Sequence, residues 1–207
     1  VAASYAERPG GAAKLVLAAI ASGQNPRSFG GVDLVKRLEQ AFDPATGLYD
    51  QQLFSNAYVL LALSAAGVRV PDAAIGGILE RQAADGSWAW DGSTTPGAGD
   101  SNTTALVVQA LAALGHADHP AVQRALQYLR SVQASDGSFA YQPADTLVGD
   151  ANSTALAIQA LLAAGEEPQS ATWRYALDAL ARFANPSGAR RWRDDAADDN
   201  LFATVQG

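Results

Sequence analysis

Two aspartates head nearly identical segments, Gly99-Asp100-Ser101-Asn102-Thr103-Thr104-Ala105-Leu106 and Gly149-Asp150-Ala151-Asn152-Ser153-Thr154-Ala155-Leu156. A carboxylate placed before a helix has two common uses: it caps the helix start, or it serves as an acid, a base or a ligand contact. Ser101 and Asn102 are themselves competent caps, which leaves Asp100 open to the second use. Behind each aspartate runs a pair of amides seven residues apart, Asn102 with Gln109 and Asn152 with Gln159, so each pair shares one face of a helix. A buried amide left unpaired costs about 1–3 kcal/mol, so these four must face one another or a wet cavity. The aromatic loops Trp88-Ala89-Trp90 and Phe139-Ala140-Tyr141 would rim that cavity, as ligand sites combine aromatic walls with a few amides. The candidate ligand-binding set is therefore Asp100, Asn102, Gln109, Asp150, Asn152, Gln159, Trp90 and Tyr141; no residue is assigned a catalytic role, and no cofactor is implied.

The rest of the chemistry is narrowed by composition. There is no cysteine, hence no disulfide, no thiolate zinc site and no Cys nucleophile. His116 and His119 fall in the connection after a helix, at the opposite end from Asp150, so no metal site is expected. A net charge of −7 disfavours nucleic acid. Apolar residues make up 48% of the chain and charged ones 17%, enough for a hydrophobic core rather than disorder. No apolar run approaches the roughly 20 residues of a membrane helix. Val1 follows no targeting signal and methionine is absent, so the chain reads as one domain, residues 1–207, excised from something longer. An extracellular or cell-surface location is expected.

The elements that position these residues come from an internal repeat. The Asp-x-Asn segments recur at an interval of 50 residues, and Gln82-Ala-Ala-Asp85-Gly86-Ser87-Trp88 returns as Gln133-Ala-Ser-Asp136-Gly137-Ser138-Phe139 at an interval of 51. Weaker copies begin near Ala12, Ser55 and Asp199, for four to five units. Each unit reads as two unlike helices. The stretch 102–114 is apolar on nearly every side and must be buried all round, whereas 120–132 places Val122, Ala125, Leu126, Leu129 and Val132 on one face with Gln123, Arg124 and Arg130 elsewhere. Inner helices are expected at 55–66, 102–114 and 152–164. Gly115 and Gly165 supply left-handed residues at helix ends, and Pro71, Pro120 and Pro168 open the next. Alternating full-wheel and half-wheel helices favour an all-α α/α toroid over a HEAT-like superhelix, with at least eight helices and essentially no β-sheet. Six such hairpins would need about 300 residues, so an incomplete ring with apolar terminal edges is expected, and self-association through them. In the Gln-x-x-Asp-Gly-Ser-aromatic motif, Asp-Gly is turn chemistry, the glutamine ties helix ends and the aromatic pins the turn.

That motif resembles the repeat of the squalene-cyclase and protein-prenyltransferase superfamily, and the Asp-x-Asn-x-Thr-Ala-Leu helices resemble its bacterial secreted members and the cobalamin-carrier α domain. The resemblance implies the toroid and several unlike functions. Prenyltransferases hold zinc with an Asp-x-Cys and a later His, but Asp150-Ala151-Asn152 lacks the thiolate; triterpene cyclases need an Asp-x-Asp-Asp acid, and thioester domains a cysteine, both missing. Asp194-Asp195-Ala196-Ala197-Asp198 spells the Asp-Asp-x-x-Asp of metal-dependent terpene synthases, yet reads as a solvated acidic turn balanced by Arg190, Arg191 and Arg193. Three functions stay open: a non-catalytic domain binding a small organic ligand such as a corrinoid, or a peptide; a cyclase-like or prenyltransferase-like enzyme using Asp100, Asp150 or Asp199; and a structural module without a pocket.

Overall fold

Stretches that are apolar on every side fold into the inner layer, and one-faced stretches cover it. The computed structural model describes residues 2–206. A short helix α1 (Ala2–Tyr5) leads into α2 (Pro9–Ala21), followed by α3 (Leu34–Gln40), α4 (Leu53–Ala65), α5 (Asp72–Leu79), α6 (Ser101–Ala113), α7 (Pro120–Ser131), α8 (Ala151–Ala163) and α9 (Ala176–Arg182). Two strands, β1 (Arg190–Arg193) and β2 (Ala196–Asn200), then precede α10 (Leu201–Gln206). The fold is all-α with α2, α4, α6 and α8 inside. The three inner helices expected at 55–66, 102–114 and 152–164 begin and end within two residues of those bounds, and the glycines after the last two have the anticipated left-handed backbone, φ +83° at Gly115 and +78° at Gly165. The layering also follows expectation: α7 buries Val122, Ala125, Leu126 and Leu129 and exposes Gln123, Arg124 and Arg130.

The antiparallel hairpin β1–β2 corrects the expectation of essentially no sheet. Arg191 pairs with Asp194 at 2.8 Å and Arg193 with Asp195, so the acidic run closes a turn between two short strands. The acidic turn balanced by arginines is as the sequence indicated; the pairing of the strands on either side of it is not visible in hydrophobic periodicity.

Inner helices pack in sequence order, α2 on α4, α4 on α6, α6 on α8 and α8 on α10, while α3, α7 and α9 lean on their own inner helices. No comparable contact joins α2 to α10, so among the described residues the inner layer is open rather than a closed ring. Its far end leaves Leu201, Phe202 and Val205 of α10 exposed.

The turn motif stitches one unit to the next. Gln82 Nε2 donates to the carbonyls of Gly86 (2.9 Å) and Ala121 (2.8 Å), the latter at the start of α7. Gln133 repeats this with Gly137 (3.0 Å) and Trp173 (2.6 Å). Gly86 has φ +89°, and a Cβ there would lie 2.4 Å from the Arg124 carbonyl; at Gly137 the corresponding clash is 2.4 Å from Arg174 O. Only glycine lets the turn lie against the next outer helix. Trp88 and Phe139 are fully buried, and Trp88 Nε1 donates to Ile78 O at 2.9 Å. The motif is a staple, as its residue types indicated.

Gln133→Ala should therefore lower stability by about 1–3 kcal/mol, because it strands two carbonyl acceptors between units. Gln123→Ala, on the exposed face of α7, should change it by no more than about 0.5 kcal/mol; urea midpoints measure both.

Candidate functional site

The inner helices run parallel, with Ser64 at the end of α4 donating to Ala113 O at the end of α6 (2.9 Å), so their starts gather at one end of the molecule. At that end Asp100 Oδ1 accepts from Thr103 N (2.7 Å) and Oδ2 from Thr103 Oγ1 (2.8 Å). Asp150 does the same with Ser153 N (2.9 Å) and Ser153 Oγ (2.7 Å). Both carboxylates are buried N-caps with each oxygen engaged. At the fourth residue of each helix, the Thr104 and Thr154 hydroxyls accept from Trp88 N and Phe139 N, both at 3.0 Å. In α4, where Gln52 stands in place of the aspartate, Asn56 supplies the same bracing: its Oδ1 accepts from Tyr49 N (2.6 Å), and its Nδ2 donates to Asp50 O (2.7 Å) and Gln52 O (2.8 Å).

Neighbouring loops complete the caps. The Trp90 carbonyl accepts from Leu53 N (2.7 Å) and Phe54 N (3.3 Å) at the start of α4, and the Tyr141 carbonyl from Ser101 N (2.8 Å) at the start of α6. This brings Trp90, Asp100 and Tyr141 together. Burial raises the Asp100 pKa above the ordinary carboxylate value, against hydrogen bonds from Thr103, Asn102 and Trp90. Burial also raises the Tyr141 phenol, aided by the Asp100 charge and a hydrogen bond to it. The Trp90 and Tyr141 rings remain exposed.

The amides divide. Asn102 is half-buried and accepts from Ser101 Oγ at 3.4 Å, while Gln109 Nε2 reaches both Ala105 O in its own helix and Leu156 O in α8, each at 3.4 Å. Asn152 is half-buried with its Oδ1 unpartnered, and Gln159 is exposed. Amide pairing between inner helices thus operates at Gln109 and not at Gln159.

A cleft of about 990 Å³ opens elsewhere at the same end, between α1, α2 and the start of α4, and its walls include Tyr5, Arg8, Lys14, Tyr49, Phe54 and Tyr58. None of the eight residues proposed from the sequence is among its lining residues. Phe54 and Tyr58, one turn apart on α4, meet edge to face at 5.2 Å, and Lys14 Nζ of α2 lies 4.7 Å from the Tyr58 ring centre and 5.8 Å from that of Phe54. Lys14 has no carboxylate partner among the described residues, and desolvation lowers its pKa. Tyr58 is raised by burial and then by Tyr5; Tyr49 is pushed up to about 12 by burial and the Glu39 charge. The available signal was Lys14 itself, one of two lysines in the chain and the charge in an otherwise apolar inner helix.

Among the described residues no group of three or more His, Asp or Glu side chains could hold a metal. His119 caps α7, its Nδ1 accepting from Ala121 N at 3.2 Å, and His116 lies at the far end of the inner layer beside Ser64 and Leu114.

No protein-family model and no curated protein sequence matches this chain. Among solved structures, ent-copalyl diphosphate synthase from Streptomyces platensis aligns with a TM-score of 0.39 and 18% identity, over 94% of this chain and 47% of that one. The chain thus spans about half the length of that protein.

Asp100 yields a pH test. A folded pKa raised above the unfolded one contributes stability that is fully present below the unfolded pKa and is lost as pH rises through the folded value. Asp100→Asn keeps a competent cap and removes this loss, so relative to the parent it should be more stable at pH 7 than at pH 4 in chemical denaturation. Asp150→Ala, which removes a cap outright, should cost about 1 kcal/mol at either pH.

Proposed function

We propose that this chain is a non-catalytic binding domain that takes a small organic anion with an apolar body in the cleft between α2 and α4. The observation that carries the reading is Lys14, an amine facing about 990 Å³ of open cleft, laid over the rings of Tyr58 and Phe54 and in no ion pair among the described residues. The cleft is lined by the rings of Tyr5, Phe54 and Tyr58, the cations Lys14 and Arg8 and the carboxylates Glu7 and Asp50, and it suits a ligand whose own carboxylate or phosphate meets the Lys14 amine while its apolar part lies against the three rings.

The engagement of both aspartates supports binding over catalysis. Every carboxylate oxygen of Asp100 and Asp150 accepts a hydrogen bond from the helix it caps, and a proton-transfer role would have to break those bonds. Asn102 and Asn152 lie at the same end of the inner layer as the cleft, at the starts of α6 and α8, and an extended ligand would meet them there.

Calorimetric titration with dodecanoate, dodecyl phosphate, dodecyltrimethylammonium and a corrinoid tests this. The two anions should bind and the ammonium should not. Lys14→Ala should weaken anion binding about tenfold, near 1.4 kcal/mol, with the thermal midpoint little changed. Because desolvation lowers the Lys14 pKa from 10.5, anion affinity should fall as pH rises through that lowered value. Equal affinity for the ammonium would refute the anion preference; no binding by any probe would refute the cleft as a site.

A further inference from the structure

Three large aromatic side chains stand in the open at the same place in three successive units. Trp90, Tyr141 and Trp192 follow one another at intervals of 51 residues and are 51%, 43% and 42% exposed. Stapling of the units falls to other residues, since Trp88 and Phe139, two positions earlier, are the buried pins. The exposed three are held through their backbones: the Trp90 and Tyr141 carbonyls cap α4 and α6, and β1, which carries Trp192, packs against α8. One ring is thereby assigned to the start of each of three consecutive inner helices, and packed helices lie about 8–10 Å apart. In repeat proteins, a residue displayed once per unit on one face marks a surface for a partner that is itself periodic.

The loops that carry the rings are acidic, with the Arg81 side chain lying against Gly92 in the first of them. Among the described residues Asp91, Asp145 and Asp198 are exposed without ion-pair partners, whereas Arg191 and Arg193 are paired with Asp194 and Asp195, and Arg190 donates to Leu180 O at 2.8 Å. At Trp192 the chain fills its own ring: the Arg193 guanidinium lies 4.7 Å from the ring centre while Asp195 holds it. Trp90 and Tyr141 are followed by Asp91 and Gln142 and, among the described residues, have no cation over their faces.

We infer that Trp90 and Tyr141 are subsites for an extended basic peptide, each taking one Lys or Arg side chain in the way Trp192 takes Arg193. Asp91 and Asp145 supply the charge that meets it, as Asp195 does for Arg193. Three residues of polyproline-type chain cover about 9 Å, which matches the spacing of neighbouring helices, so the recognised pattern is a cation at every third position. This site is separate from the Lys14 cleft and stands whether or not that cleft binds an anion.

The test is fluorescence polarisation with a labelled Arg-Pro-Pro-Arg-Pro-Pro-Arg peptide, its Glu-for-Arg counterpart and a neutral cello-oligosaccharide. The arginine peptide should bind with an affinity that falls as salt is raised. Trp90→Ala and Tyr141→Ala should each weaken binding about fivefold or more, and Lys14→Ala should leave it unchanged. Arg193→Ala, by uncovering Trp192, should tighten binding, a gain that a purely structural role for these rings would not produce. Circular dichroism melts of the four variants confirm that each is folded. Equal binding of the glutamate peptide, indifference to both ring substitutions, or oligosaccharide binding that depends on Trp90 while the arginine peptide does not bind, would each overturn the inference.

Discussion

A helix that is apolar all round buries its ends together with its sides, and its first N–H groups must then find acceptors without water. In this protein that requirement organises the whole end of the molecule where the inner helices begin. Asp100 and Asp150 satisfy part of it from within their own segments, and the carbonyls of Trp90 and Tyr141 satisfy more from the loops of the following units. Because each loop must reach back to cap the preceding inner helix, successive units are locked in register. The glutamine staple then ties each turn to the next outer helix.

The same requirement explains how α4 manages without an aspartate. Gln52 contributes no side-chain cap, and Asn56, one turn inside the helix, uses both ends of its amide to hold Tyr49, Asp50 and Gln52. Asn56 stands at the same position in α4 as Thr104 in α6 and Thr154 in α8, and Phe54 and Tyr58 of α4 border the cleft.

Exposed rings and buried caps divide the loops between them. A side chain that closes a helix end has spent its hydrogen-bonding capacity, as the two aspartates have, so recognition falls to groups held in place by backbone alone. Trp90 and Trp192 are such groups, Tyr141 adds a hydroxyl bond to Asp100, and Lys14 is fixed by an apolar helix with its amine free of ion pairs among the described residues.

The repeat made much of this legible in advance. Full-wheel and half-wheel periodicity identifies inner and outer helices because burial on every side leaves no position for charge, and Gly115, Gly165 and Pro120 mark ends through local backbone preferences. The staple was readable because Asp-Gly turns are likewise local. Other features depend on residues distant in the chain. Whether Asp100 caps or acts on a ligand depends on the loop that packs over it, and whether Gln109 bonds to α8 while Gln159 faces solvent depends on α8 having a neighbour on one side only that offers a carbonyl. The Lys14–Tyr58 contact joins two helices by packing, and the pairing of β1 with β2 is not visible in hydrophobic periodicity. Periodicity is a property of one segment, so the helices, their glycine-marked ends and their order could be read along the chain; burial and partnership are properties of what packs against that segment, so which polar groups are spent and which stay open emerges only on folding.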